Sequence, residues 1–140
     1  MIFERLLRIA RDLGYRKGER GAVQIELAFT IMTVMFVVFM TVELCSAVYT
    51  YVVLSDAANE GVRYAIVHSS DESGAVSQVR SYAKNSLHNV SGMTVSVAYP
   101  DGQSVPGRVR VTVSYPYVSY LNFMSSPPTM HAYAEGRLVY

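Results

Sequence analysis

Residues 20–44 read R-G-A-V-Q-I-E-L-A-F-T-I-M-T-V-M-F-V-V-F-M-T-V-E-L, and the reading of this stretch decides the fold. Sixteen residues without a charge separate Glu26 from Glu43, and beyond Glu43 the apolar and weakly polar sequence runs on to Leu54. A sixteen-residue helix rises about 24 Å at 1.5 Å per residue. Extension back to Ala22 and forward past Glu43 brings it to the roughly 30 Å of bilayer hydrocarbon. Such a run is too hydrophobic for a surface helix, so the pattern predicts a membrane-spanning helix within residues 22–54.

The flanks give the span a direction. Residues 1–21 carry six basic side chains (Arg5, Arg8, Arg11, Arg16, Lys17, Arg20) against three acidic ones (Glu4, Asp12, Glu19), whereas the whole chain is nearly neutral at +1. Basic residues immediately before a span stay cytoplasmic, which sends the C-terminal part to the other side. Interspersed acids and the adjoining span argue against a nucleic-acid-binding arm, and no nucleic acid is expected as a partner. A secretory signal peptide has a shorter apolar core followed by a small-residue cleavage site. Ser46 and Ala47 could be forced into that role, but Tyr49 to Leu54 continues the apolar pattern without a break. A plain uncleaved anchor stays open on composition alone.

Glu26 is the informative residue. A carboxylate in or at the edge of hydrocarbon costs about 2.5–3.5 kcal/mol on insertion scales, so it is either solvated at headgroup depth or functional. Its setting favours function: a basic leader ends in Gly21, Ala22 follows, and Glu26 is the fifth residue counted from Ala22. This arrangement resembles the class III signal of type IV pilins and pseudopilins. The resemblance implies cytoplasmic cleavage by a prepilin peptidase between Gly21 and Ala22, with the apolar helix kept. A glycine allows close approach of an extended backbone to a protease. Cleavage would leave a positive α-amino group at Ala22, for which a carboxylate such as Glu26 on a neighbouring subunit is a natural counter-charge.

The junction, the apolar run, V-E-L at 42–44 and D-A-A-N-E-G-V-R-Y-A at 56–65 together resemble the TadE-like family of tight-adherence pilus assembly proteins. The similarity spans about residues 16–67. Many relatives carry a proline a few residues after the first glutamate; Thr30, Ile31 and Met32 stand there instead, which predicts an unbroken helix. Glu43 lies seventeen residues after Glu26, roughly 25 Å along a helix and about 100° around it. It is either a carboxylate at the outer headgroups or a contact to another subunit.

Past the span, residues 55–68 are expected to extend the helix, and a helix unbroken from Ala22 to Val67 would be ~69 Å long. Ala57, Gly61 and Ala65 recur every four residues, a stripe without bulk that lets another backbone approach. The stripe would support the chain's own sheet in preference to a subunit contact. S-S-D-E-S-G at 69–74 interrupts the pattern, and Val76, Val79, Tyr82, Ala83 and Leu87 then predict a second, amphipathic helix. Val95, Val97 and Tyr99 alternate, P-D-G-Q-S-V-P-G at 100–107 is dense in turn formers, and Val109, Val111, Val113 and Tyr115 alternate in return, predicting a β-hairpin. A last strand is expected from Met130 to Tyr140, after a loop at Ser125–Pro128. The expected fold class is α+β, pilin-like: a long N-terminal transmembrane helix packed on a small antiparallel β-sheet domain (69–140) with a second helix. A core of about seventy residues is marginal, so the helix stripe would help to bury it.

Nothing points to catalysis. His68, His88 and His131 have no metal-ligand spacing, and neither a nucleophile-elbow motif nor a phosphate-binding glycine loop is present. No cofactor and no metal are expected. Cys45 is the only cysteine, so an intramolecular disulfide is excluded. Taken together, the residues and the resemblance imply a non-enzymatic minor pilin or pseudopilin for assembly or priming of a tight-adherence pilus. It would sit in the bacterial inner membrane with its N-terminus cytoplasmic and its C-terminus periplasmic. The implied partners are prepilin peptidase, the major pilin and other minor pilins, the inner-membrane assembly platform and membrane lipid. Two other readings fit the same residues: a type II secretion pseudopilin, and an unprocessed signal-anchored protein whose outer domain binds an envelope partner or ligand.

Overall fold

The computed structural model describes residues 2–119 and 128–139, and within its first helix the side chains of residues 4, 5, 8 and 21–67. Residues 125–127 of the expected loop, and the side chains of Arg11, Arg16, Lys17 and Arg20 in the leader, lie outside this range. Helix α1 (Ile2–Val67) is followed by helix α2 (Glu72–Ser86) and strands β1 (Thr94–Ala98), β2 (Arg108–Pro116) and β3 (Thr129–Arg137). The strands form an antiparallel sheet in the order β1-β2-β3. This is the α+β arrangement expected from the sequence.

The chain divides into two compact units, Met1–Val42 and Glu43–Tyr140. In the first, every side chain from Ala22 to Val42 is exposed. Its threonines are matched to that setting. The hydroxyls of Thr30 and Thr33 donate to the carbonyls of Glu26 and Phe29, each at 2.9 Å, and Thr41 donates to Val37 at 2.8 Å. Each of these three hydroxyls is thereby satisfied within the helix, as a lipid solvent requires.

The second unit has a single core. Alternation along β2 buries Val109, Val111, Val113 and Tyr115 on one sheet face, joined by Val97 from β1 and by Ala132 and Ala134 from β3. Leu54, Ala57, Ala58, Val62 and Ala65 of α1 and Ala75, Val79 and Ala83 of α2 complete it. Burial of each valine or leucine contributes about 1.5–3 kcal/mol. The last turn of the expected 22–54 segment also serves this core. Thr50, Val53 and Leu54 are buried in this unit, because the sheet needs an apolar helix face to cover it. Residues 22–42 are exposed on every side, and Leu44, Val48, Tyr51 and Val52 stay exposed beyond them.

The start of α2 also differs from the sequence expectation, for a local reason. Asp71 is an N-cap: its carboxylate accepts from the Gly74 N–H at 2.9 Å and from the Ser73 hydroxyl at 2.8 Å. The segment that reads as a break thus contains the first turn. The Tyr64 hydroxyl donates to the same carboxylate at 2.7 Å, with the His68 ring stacked on Tyr64, so the cap ties α1 to α2. The Tyr64 hydroxyl, and then the Gly74 N–H, hold the Asp71 carboxyl below its ordinary range. A depressed folded-state value adds stability that is fully present above the unfolded value, near 3.9, and is lost as pH falls through the lowered folded value. Asp71→Asn keeps a capping side chain without the titration. Its melting temperature in detergent is expected to lie below wild type at neutral pH, with the gap closing as pH falls below about 4. A constant gap across that window would show that the carboxylate charge does not matter there.

Candidate functional site

The residues singled out by sequence fall in three places. Gly21 and Ala22 lie within α1, and an added Cβ at Gly21 would meet nothing within 4 Å. The junction is therefore helical and open, so an extended protease-bound form requires local unwinding, which glycine makes easier by about 1 kcal/mol relative to alanine. Glu26 is exposed one turn further on. Among the described residues, no ion pair or side-chain hydrogen bond engages its carboxylate.

Glu43 has a different environment. It is half-buried at the start of the second unit, and its Oε1 accepts from the Tyr117 hydroxyl at 2.9 Å, with the Glu43 carbonyl 3.3 Å from the same hydroxyl. Tyr117 is buried just past the end of β2, and its N–H donates to the Pro128 carbonyl at 3.0 Å. Glu43 thus fastens the chain leaving the sheet to α1. This contact joins residues 74 apart in sequence, and no periodicity or motif announces it.

Ala57, Gly61 and Ala65 lie in the core of the second unit. A Cβ at Gly61 would collide with Val79 Cγ2 and lie 3.3 Å from Val111 Cγ1. The stripe is filled by the chain's own α2 and β2. At the far end of β3, a Cβ at Gly136 would lie 2.6 Å from Val62 Cγ1, so the sheet also approaches α1 closely there. Cys45 is exposed, and among the described residues no three potential metal ligands gather.

Sequence reasoning missed a cleft of about 360 Å³ whose lining includes Tyr49, His88, Tyr115 and Tyr117. Tyr49 joins α1 to the end of α2 by donating to the Ser86 carbonyl at 3.2 Å. Tyr115 donates to the Asn89 carbonyl at 2.8 Å, and burial pushes its hydroxyl above its ordinary range. The tyrosines were visible in the sequence, but only the fold brings them together.

Residues 21–63 match the TadE-like protein family. The matched segment begins at Gly21, takes in Glu26, Glu43, Ala57 and Gly61, and stops before Ala65. It covers about a third of the chain, and α2 and the sheet lie beyond it. No curated protein and no solved structure gave a match. Residues 21–63 are thus similar to TadE-like proteins, and the helix that carries them is long and apolar enough to cross a membrane.

Proposed function

We propose that this protein is a minor pilin or pseudopilin used to assemble or prime a tight-adherence pilus. Its apolar helix holds it in the inner membrane, N-terminus cytoplasmic and C-terminus periplasmic, and prepilin peptidase cuts it between Gly21 and Ala22. The role is structural, without catalysis. One observation carries the reading: the TadE-like match begins at Gly21, the residue that the leader pattern marks for cleavage. The open surroundings of Gly21 and the exposed Glu26 carboxylate agree with it. In the filament, the Glu26 carboxylate accepts the new α-amino group of Ala22 on a neighbouring subunit, which fixes axial register.

Intact-mass measurement tests the processing step. The chain isolated from cells with active prepilin peptidase is expected to lack residues 1–21, and the chain from peptidase-deficient cells to retain them. Gly21→Leu, placed where the fold has room for a side chain, should keep the fold and block the cut. Recovery of the full-length mass from peptidase-proficient cells would remove the processing reading and leave a signal-anchored protein.

A further inference from the structure

We propose that the cleft beside Tyr49, Tyr115 and Tyr117 binds the ammonium group of a lipid headgroup, that of a phosphoethanolamine lipid in the surrounding bilayer. The cleft lies wholly in the second unit, between one turn of α1 at Ser46–Thr50, the segment leaving α2 at Ser86–Asn89 and the chain leaving β2 at Tyr115–Ser119. Its volume of about 360 Å³ is of headgroup size, at the lower end of small-ligand pockets.

Hydrogen-bond directions set the chemistry. Tyr49 donates to the Ser86 carbonyl at 3.2 Å, Tyr115 to the Asn89 carbonyl at 2.8 Å, Tyr117 to Glu43 Oε1 at 2.9 Å and Thr50 to the Ser46 carbonyl at 2.9 Å. The protons of Tyr49, Tyr115 and Thr50 are directed to carbonyl oxygens of the chain itself, so these three hydroxyls present lone pairs to a guest. Ser119 Oγ, also in the lining, is buried with no hydrogen-bond partner among the described residues. An entering N–H donor would satisfy it. Among the described residues no lysine or arginine lines the cleft, so an anionic group finds no permanent counter-charge from them. Tyrosine rings attract an ammonium through their negative faces, and the Glu43 carboxylate stands one hydrogen bond behind Tyr117.

Chain connectivity selects the source. Glu43 is the residue directly after the uncharged run, and Ser46 and Tyr49 follow within two helical turns, so the cleft is tethered to the boundary where a helix leaves hydrocarbon. Residues 44–55 carry no charge, and tyrosine is enriched at that depth. Tyr49 and Val118 at the cleft are 55% and 68% exposed, leaving an apolar approach for the rest of the lipid.

The inference needs only the membrane-anchoring part of the proposed function; it holds for the unprocessed chain and does not depend on filament assembly. The test therefore uses the full chain from peptidase-deficient cells, reconstituted in nanodiscs holding equal amounts of phosphoethanolamine and phosphoglycerol lipids with the same acyl chains. Native mass spectrometry after transfer to detergent reads the retained lipid. Retention of the phosphoethanolamine lipid in about tenfold preference is expected. His88→Lys adds an ammonium at an exposed cleft position and should abolish the preference, and Tyr49→Leu should weaken it about tenfold. Melting curves confirm that both variants fold, and His88→Lys leaves every tyrosine hydrogen bond in place. Equal retention of the two lipids, or a preference that survives His88→Lys in the folded chain, overturns the proposal.

Discussion

Glu26→Ala is expected to leave the cut after Gly21 largely intact and to lower the amount of mature chain in sheared pili by about tenfold or more. Two opposed energies lead to this result. In the lone subunit the carboxylate burdens insertion by about 2.5–3.5 kcal/mol when it enters hydrocarbon, so alanine should make the anchored subunit easier to insert. In a filament with a charged α-amino group packed nearby, removal of one partner of a buried pair costs about 3–5 kcal/mol. Since each 1.4 kcal/mol is about tenfold in an equilibrium, the second effect dominates incorporation. The exposed Glu26 carboxylate, with no ion pair among the described residues, is free to meet that amine. Immunoblots of membrane and sheared-pilus fractions read the two effects separately. Glu26→Gln should fail in the same way, because shape without charge leaves the amine unpaired. Normal incorporation of Glu26→Ala would defeat the register role, and loss of cleavage would move Glu26 to recognition by the peptidase.

Much of this architecture is legible from local pattern. The uncharged run and the alternation at Val109, Val111, Val113 and Tyr115 each answer to one periodicity, and of the residues that mark the second helix Val79 and Ala83 are buried, whereas Val76 and Leu87 are half-buried, Tyr82 is exposed and Ala75 takes the remaining core position. The last strand, expected from Met130 to Tyr140, is Thr129–Arg137; Leu138 and Val139 lie past its end and Tyr140 is outside the described residues. Its buried positions, Ala132 and Ala134, are too small to mark a strand clearly, and Leu138 is buried outside the ladder, with its N–H donating to the Gly107 carbonyl at 2.9 Å. Asp71 was legible in principle, since Asp ahead of a helical pattern is an N-cap signal, but the Ser and Gly around it read as a loop. Gly21, Ala22 and Glu26 are legible because a protease and a membrane read the chain locally. The Glu43–Tyr117 contact and the tyrosine cleft are not, because they come from the packing of segments distant in sequence. A single chain carries no periodic trace of such a pairing.

Gly61→Leu is expected to destabilise the second unit by about 3 kcal/mol, while the apolar helix stays formed. Glycine inside a helix costs about 1 kcal/mol relative to alanine, so its presence at 61 requires a compensating contact. That contact is the approach of α2 and β2: a Cβ would strike Val79 Cγ2 and press within 3.3 Å of Val111 Cγ1, and both valines are fully buried. Overfilling a packed core typically costs about 1–3 kcal/mol, and four added carbons belong at the upper end. Gly61→Ala sets the propensity gain against the same collision and should still lose stability, though less. Unfolding should be followed by near-ultraviolet circular dichroism in detergent. The tyrosine signal belongs mainly to the second unit, whereas the far-ultraviolet signal would be dominated by a helix that detergent preserves. The competing role for the stripe, a contact between subunits, makes the opposite forecast: unchanged tyrosine melting in the isolated chain and loss of pili. With Ala57 and Ala65 fully buried beside Gly61 in the chain's own core, any fall in piliation should instead follow the loss of folded subunit and be partly restored by growth at lower temperature.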